Sequence, residues 1–154
     1  MSTPPDTEVQ VRLADPQDMA GVYALRHEVF VLGQDVPEEL ERDEHDDAAV
    51  HAVAVRADGG VVGTGRLVGP ELEGRADGVA TVGRMAVAEA ARGTGTGSAV
   101  LRALEQRARE LGLQGIELHA QVHAQRFYER LGYEAFGEQY LEAGILHVSM
   151  RKAL

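Results

Sequence analysis

The chemistry-bearing residues of this sequence concentrate between Val82 and Ser98. A β-rich run ending Val82-Gly83-Arg84-Met85-Ala86-Val87 leads to Arg92-Gly93-Thr94-Gly95-Thr96-Gly97-Ser98, where a helical pattern begins. Glycines at alternate positions let the backbone turn with its N–H groups converging, and let an anion come close. A helix N-terminus adds unpaired donors and about half a positive charge. Strand, glycine loop and helix start together predict a cradle for a pyrophosphate. A plain glycine turn is the competing reading; the alternating glycines, Arg92 and the hydroxyls weigh against it.

Two other phosphate loops fit poorly. A Walker loop ends in Gly-Lys-Ser/Thr, and this loop has no lysine. A dinucleotide fingerprint needs Gly-x-Gly-x-x-Gly, but counting from Gly93 ends on Ser98, and from Gly95 on Val100. That fingerprint also follows the first strand of its domain, whereas several strands precede this loop.

Groups able to move protons lie further on. Glu117, His119 and Gln121 alternate with Ile116, Leu118 and Ala120, so the polar three share one face of a strand. His123 follows at a strand–helix junction, and His147 lies on or before the last strand. An imidazole near pKa 6.5 can accept a proton at neutral pH, although for any one of these histidines a structural or surface role outweighs base catalysis. From its place on a helix stripe with Phe127 and Leu131, Tyr128 reads as a core aromatic. His119 and His123 are not read as a metal pair, because the i, i+4 rule holds within one helix. With no cysteine and no third ligand at suitable spacing, no metal is expected. His45 and His51, near Asp43, Asp46 and Asp47, read as a solvated loop.

These groups need a scaffold. Val9–Leu13 alternates as a strand, and Asp15-Pro16 reads as an N-cap and first turn. The helix after it carries a stripe at Met19, Val22, Tyr23, Leu25 or Arg26, and Val29–Phe30, and ends near Gly33. A short helix or ordered loop with Pro37 follows. Val50–Arg56 and Val61–Val68 are strands around the turn Asp58-Gly59-Gly60. Val79–Val87 is a strand, and Gly95–Leu111 a helix with its stripe at Val100, Leu101, Leu104, Ala108 and Leu111. Ile116–Gln121, Tyr133–Glu138 and Leu146–Arg151 complete the strands, with a helix over His123–Leu131. The order predicts a mixed α/β sheet with helices on both faces.

The 154 residues suit one domain, and 44% hydrophobic with 26% charged content is ordinary for a globular protein. The absence of cysteine excludes disulfides and a thiol nucleophile and is consistent with a reducing cytoplasm. Residues 1–8 have neither basic residues nor an apolar core, so they read as a short flexible tail rather than a secretory signal. No apolar run approaches the roughly 18 residues of a membrane span. The net charge of −10 argues against nucleic acid. It is uneven: Gln34–Ala49 holds eight acids against Arg42, a local −7 that leaves −3 elsewhere. That segment reads as a solvated face, or as an acidic rim that attracts a cationic amine.

At the glycine loop the sequence resembles the GNAT acyltransferases, whose signature Arg/Gln-x-x-Gly-x-Gly/Ala is matched by Arg92-Gly93-Thr94-Gly95-Thr96-Gly97. Phe127-Tyr128-Glu129-Arg130-Leu131-Gly132-Tyr133 is similar to the family's "FYEKLGF" segment. Leu25-Arg26-His27-Glu28-Val29-Phe30-Val31 and Ala143-Gly144-Ile145-Leu146-His147 resemble the ElaA-like bacterial branch. The resemblance covers nearly the whole chain, from about Val9 to Lys152.

It implies a GNAT fold over residues 9–154, a mixed, mostly antiparallel sheet of about seven strands flanked by about four helices. It also implies acetyl-CoA as acyl donor, its pantetheine along the fourth strand at Met85, Ala86 and Val87. The pyrophosphate would lie on Arg92, Gly93, Thr94, Gly95, Thr96 and Gly97, with Ser98 at the helix start. Tyr128 matches the family's proton donor to the departing thiolate, and His123 and His147 are the candidate bases. The acceptor is then a primary amine, on a small molecule or a peptide, acylated directly in a ternary complex without metal. A homodimer stays open. A non-catalytic acyl-CoA sensor on the same fold is the alternative. Two departures stand out: Gly83 replaces a commonly proposed base, and Leu32-Gly33-Gln34 interrupts the ElaA-like Glu-Gln that follows Val-Phe-Val.

Overall fold

The computed structural model describes residues 8–154, so the expected tail lies, except for Glu8, outside the described residues. Its elements are β1 (Val9–Leu13), α1 (Met19–Arg26), α2 (Glu38–Glu41), β2 (Val50–Arg56), β3 (Val61–Val68), β4 (Val79–Val87), α3 (Thr96–Glu110), β5 (Gly115–Gln121), α4 (Gln125–Arg130), β6 (Glu134–Glu142) and β7 (Ile145–Ala153). The seven strands form one sheet in the order β1-β2-β3-β4-β5-β7-β6. β1/β2, β5/β7 and β6/β7 are antiparallel and β4/β5 parallel, as a mixed α/β fold requires. The last two strands run further than the sequence pattern indicates. Ala143 and Gly144 both have positive φ, 51° and 77°, the backbone of a tight hairpin, and the ladder continues to Glu142↔Ile145.

The described residues group into two compact units, one reaching to Arg66 and including Arg84–Leu104, the other Leu67–Gly83 with Glu105–Leu154.

In the first unit, Asp15 caps a single 3-10 turn and Asp18 closes a reciprocal capping box before α1 begins. α1 does not continue as a regular α-helix to Gly33. His27–Leu32 is π-helical, a widened turn that occurs chiefly in short pieces and often at functional sites. Leu25 and Val29 bury against Ala86 of β4, with Phe30, Val61 and Ala88 packed around them. Val100, Leu101 and Leu104 of α3 are fully buried as their spacing predicts. The start of α3 approaches β3 closely because Gly63 and Gly65 have no side chain. A Cβ at Gly63 would stand 2.7 Å from Thr96 Cγ2, and one at Gly65 would run into Met85 Sδ.

In the second unit, β4 and β5 pair from Val79↔Gly115 to Val82↔Leu118, and β5 pairs β7 along its whole length. Ile116, Leu118, Ala120, Val148 and Met150 form the buried face. Tyr133 is held by its hydroxyl, which donates to Glu105 Oε2 at 2.8 Å, while Lys152 Nζ donates to the same oxygen at 3.1 Å and to Leu131 O at 2.8 Å. Leu111, expected on the α3 stripe, is half exposed, because the helix ends at Glu110.

Candidate functional site

The glycine loop adopts the conformation its composition demands. Gly93 and Gly95 have φ of 78° and 83°, in the left-handed region that side chains avoid. A Cβ at either would meet nothing within 4 Å, so backbone conformation, not crowding, selects glycine there. The Ala99 N–H donates to Gly95 O at 3.0 Å, making Gly95 the residue that caps α3. The amides of Thr96, Gly97 and Ser98 therefore have no partner inside the helix, and its positive end lies at the loop. Thr94 Oγ1 donates to Ala91 O at 2.5 Å and lies 2.8 Å from Thr96 Oγ1, which fixes both hydroxyls. Arg92 Nε donates to Val87 O at 3.1 Å, tying the loop back to the end of β4. Met85, Ala86 and Val87 belong to the same unit, with Ala86 buried in its core.

β4 is distorted immediately before Met85. Arg84 has a φ of 53°, uncommon for a residue with a side chain and a frequent companion of functional strands. Its guanidinium grips the end of α2: Nε donates to Glu41 O at 3.0 Å and Nη2 to Leu40 O at 3.3 Å, with Asp43 Oδ2 at 3.4 Å.

Arg84 belongs to a buried ionic network that corrects the reading of the acidic segment as a solvated face or outer rim. Arg26, completely buried, donates through Nε to Glu41 Oε1, through Nη1 to Asp46 Oδ1 at 2.8 Å and through Nη2 to Glu41 O at 2.8 Å. Arg66 Nη1 donates to Asp43 Oδ1 at 2.6 Å and Asp46 Oδ1 at 2.9 Å. Burial would raise the Asp46 carboxyl, but hydrogen bonds from Arg26, the Asp43 amide and Arg66 hold it well below the usual carboxylate range. His51 is likewise buried rather than solvated; its Nε2 donates to Asp46 O at 2.9 Å, and burial pushes the imidazole pKa down. His51 Nδ1 and Arg66 Nε are buried without a partner among the described residues, one an acceptor and the other a donor.

The same unit holds a pocket of about 260 Å³ lined by Tyr23, His27, Val31, Glu38, Glu41 and Arg42. Arg42, the lone base of the acidic segment, stacks on Tyr23 with its guanidinium carbon 3.6 Å from the ring centroid.

The proton-transfer candidates all lie in the second unit. Tyr128 is buried, held edge-on by Phe127 at 5.0 Å and Tyr133 at 6.0 Å, and burial pushes its phenol up to about 12. His123 is exposed, with Nε2 2.6 Å from Gln121 Oε1. His147 is buried; its Nδ1 lies 2.7 Å from Ile145 O, so Nδ1 carries the hydrogen and Nε2 the lone pair. Glu117, His119 and Gln121 share a strand face as expected. Burial would raise the Glu117 carboxyl, and hydrogen bonds from Arg151 and Arg75 lower it. The role of Tyr140, whose hydroxyl hydrogen-bonds His119 Nδ1, was not legible in sequence, because a hairpin bulge sets its register. Among the described residues no three His, Cys, Asp or Glu side chains are grouped to hold a metal ion, and no helix is long and apolar enough to cross a membrane.

The sequence model of the family described as "Acetyltransferase (GNAT) domain" matches residues 7–154. The uncharacterized N-acetyltransferase YjcF of Bacillus subtilis (strain 168) is 34% identical over 137 residues, 88% of this chain and 93% of its own. An acyl-CoA N-acyltransferase structure from Pseudomonas aeruginosa is similar at a TM-score of 0.83 and 32% identity, covering 95% of this chain and 100% of its own. Escherichia coli ElaA is similar at a TM-score of 0.79 and 26% identity, covering 94% and 98%. The chain belongs to the GNAT acetyltransferase family and is an acyltransferase that uses acyl-CoA as co-substrate, on a fold it shares with ElaA.

Proposed function

We propose that this enzyme moves an acetyl group from acetyl-CoA to a primary amine, by direct transfer within a ternary complex. The observation that carries the reading is the loop Arg92–Ser98, where left-handed Gly93 and Gly95 turn the chain into the start of α3 and leave the amides of Thr96, Gly97 and Ser98 without helical partners. Such a loop suits the pyrophosphate of coenzyme A. Main-chain groups of Met85, Ala86 and Val87 bind the pantetheine in this reading, and a backbone donor beside the thioester carbonyl stabilises the negative charge that develops there. Direct transfer is favoured by the absence of cysteine, the easiest nucleophile for an acyl-enzyme.

Tyr128 assists the departing thiolate. With the phenol near 12, full proton transfer to a thiolate of pKa about 8.5 is uphill by about 5 kcal/mol. Tyr128 therefore acts chiefly by donating a hydrogen bond to sulfur. Of the two candidate bases, His147 is the better placed, since its Nδ1–H is committed to Ile145 O and its Nε2 keeps a lone pair. His123 is exposed and keeps Nε2 against Gln121, which suits a secondary role.

The test pairs calorimetric titration with CoA and acetyl-CoA with a turnover screen of acetyl-CoA against small amines and amine-bearing peptides. Micromolar binding that weakens about 5–30-fold in Gly95→Ala, with turnover reduced in Tyr128→Phe and His147→Gln, is the expected result. Saturable acetyl-CoA binding with no transfer to any amine would overturn the proposed reaction, and unchanged turnover in His147→Gln would overturn the choice of base.

A further inference from the structure

The geometry points to Tyr140 as the positioning residue of His147: its ring is a platform for the imidazole, and the platform is itself fixed by His119 and Ser149. This rests on the reading of His147 as the base.

Register brings the three strands together. Gln121 of β5, His147 of β7 and Tyr140 of β6 stand in one cross-strand row, with His119, Ser149 and Phe136 in the next. The row exists because β6 shifts register between Phe136 and Tyr140, around Gly137 with a φ of 73°. Bulges re-aim side chains in this way beside functional sites. The Tyr140 ring then lies nearly parallel to His147, with centroids 5.9 Å apart and planes at 24°. Its hydroxyl hydrogen-bonds His119 Nδ1, and His119 meets the ring edge-on at 6.0 Å and 80°. Ser149 is its other side-chain hydrogen-bond partner.

The protons of the two histidines follow. The Ile145 carbonyl only accepts, so His147 is the Nδ1–H tautomer and takes its next proton at Nε2. Glu142 Oε2 lies 3.6 Å from that nitrogen. In the proposed arrangement the phenol gives its one hydrogen to His119 Nδ1 and accepts from Ser149. His119 is therefore the Nε2–H tautomer, with Glu117 Oε2 3.7 Å from Nε2. The titratable and charged groups around His147 are Glu142 on β6, His119 and Glu117 on β5, Arg151 on β7, Arg75 before β4 and His123 before α4.

The test is imidazole ¹H–¹⁵N spectroscopy of the full chain across a pH titration, for the parent, Tyr140→Phe and Tyr140→Leu, with a thermal melt of each. In the parent, His147 carries hydrogen on Nδ1 and His119 on Nε2. In Tyr140→Leu, His147 loses the ring that holds its imidazole and shows mixed tautomers. Tyr140→Phe keeps the platform and loses the hydroxyl, so His147 keeps its hydrogen on Nδ1 while His119 loses its single tautomer; this variant decides the matter if Tyr140→Leu does not fold. His147 with hydrogen on Nε2 in the parent, or an unaltered His147 in folded Tyr140→Leu, would overturn the proposal. The turnover of His147→Gln tests the base itself, so each can fail alone.

Discussion

Asp46→Asn separates the buried network from a merely acidic surface. Asp46 accepts from Arg26 Nη1 at 2.8 Å, Arg26 Nη2 at 3.2 Å, Arg66 Nη1 at 2.9 Å and the Asp43 amide at 3.0 Å. Three arginines (Arg26, Arg66, Arg84) face three carboxylates (Glu41, Asp43, Asp46), and His51 is neutral, so the cluster is balanced. Asparagine keeps the shape, removes one negative charge and turns an N–H group toward a guanidinium. Breaking one partner of a buried pair costs about 3–5 kcal/mol. For a chain of this length that lowers the Tm by about 6–20 °C. Glu44→Gln and Asp47→Asn, exposed acids of the same segment, should stay within about 0.5 kcal/mol of the parent.

The assay is urea and thermal unfolding of all four proteins between pH 3 and pH 8. The sign follows from linkage: a carboxylate whose folded pKa is depressed contributes stability that is present above its unfolded pKa near 4 and lost as pH falls below it. The gap between parent and Asp46→Asn should therefore be widest at neutral pH and narrow in acid. If Asp46→Asn behaves like the two surface controls, or the gap holds constant down to pH 3, the reasoning from buried charge is wrong.

Burial lowers the folded pKa of His51, so the unfolded chain takes up a proton from about pH 6.5 downward before the folded one does; stability should decline below that pH, and His51→Gln should remove this part of the slope in unfolding experiments at pH 5 to 7. Gly95→Ala forces a side chain into a φ of 83°, and a strain of about 1–2 kcal/mol should weaken CoA binding about 5–30-fold by calorimetry. Gly65→Ala sets a Cβ against Met85 Sδ and 3.0 Å from Leu104 Cδ1, so overpacking should destabilise by about 1–3 kcal/mol in urea. Met85→Ala should recover part of that loss in the double variant, and strict additivity would refute the contact.

Local rules made much of the fold legible. The stripe of α3, the turn at Asp58-Gly59-Gly60 and the alternation of β1 are short-range signals, and each element formed where its pattern placed it. The glycine loop was legible because positive φ selects glycine in sequence and backbone alike. The π-helical turn was not: its hydrogen bonds shift by one residue while its composition stays helical. Nor was the extent of β6, which depends on pairing with β7 rather than on its own residues. Arg26 was partly legible, because it occupies a stripe position, between Val22 and Val29, where an apolar residue was expected.

That charged residue on an apolar stripe changes the meaning of the acidic segment. Composition counts eight acids and one base there, yet Glu41, Asp43 and Asp46 are matched by Arg26, Arg66 and Arg84 from elsewhere in the chain. Only Asp35, Glu38, Glu39, Glu44 and Asp47 remain against Arg42, so the outward field is closer to −4 than to −7. Long-range attraction of an amine follows that smaller charge and is screened over about 8 Å at physiological salt. The matched half acts at close range instead, tying α2 to β4 through Arg84, one residue before Met85. One segment thus combines a modest electrostatic pull with a rigid clasp on the strand proposed to carry the acyl donor, and only the first of these could be read from charge counts.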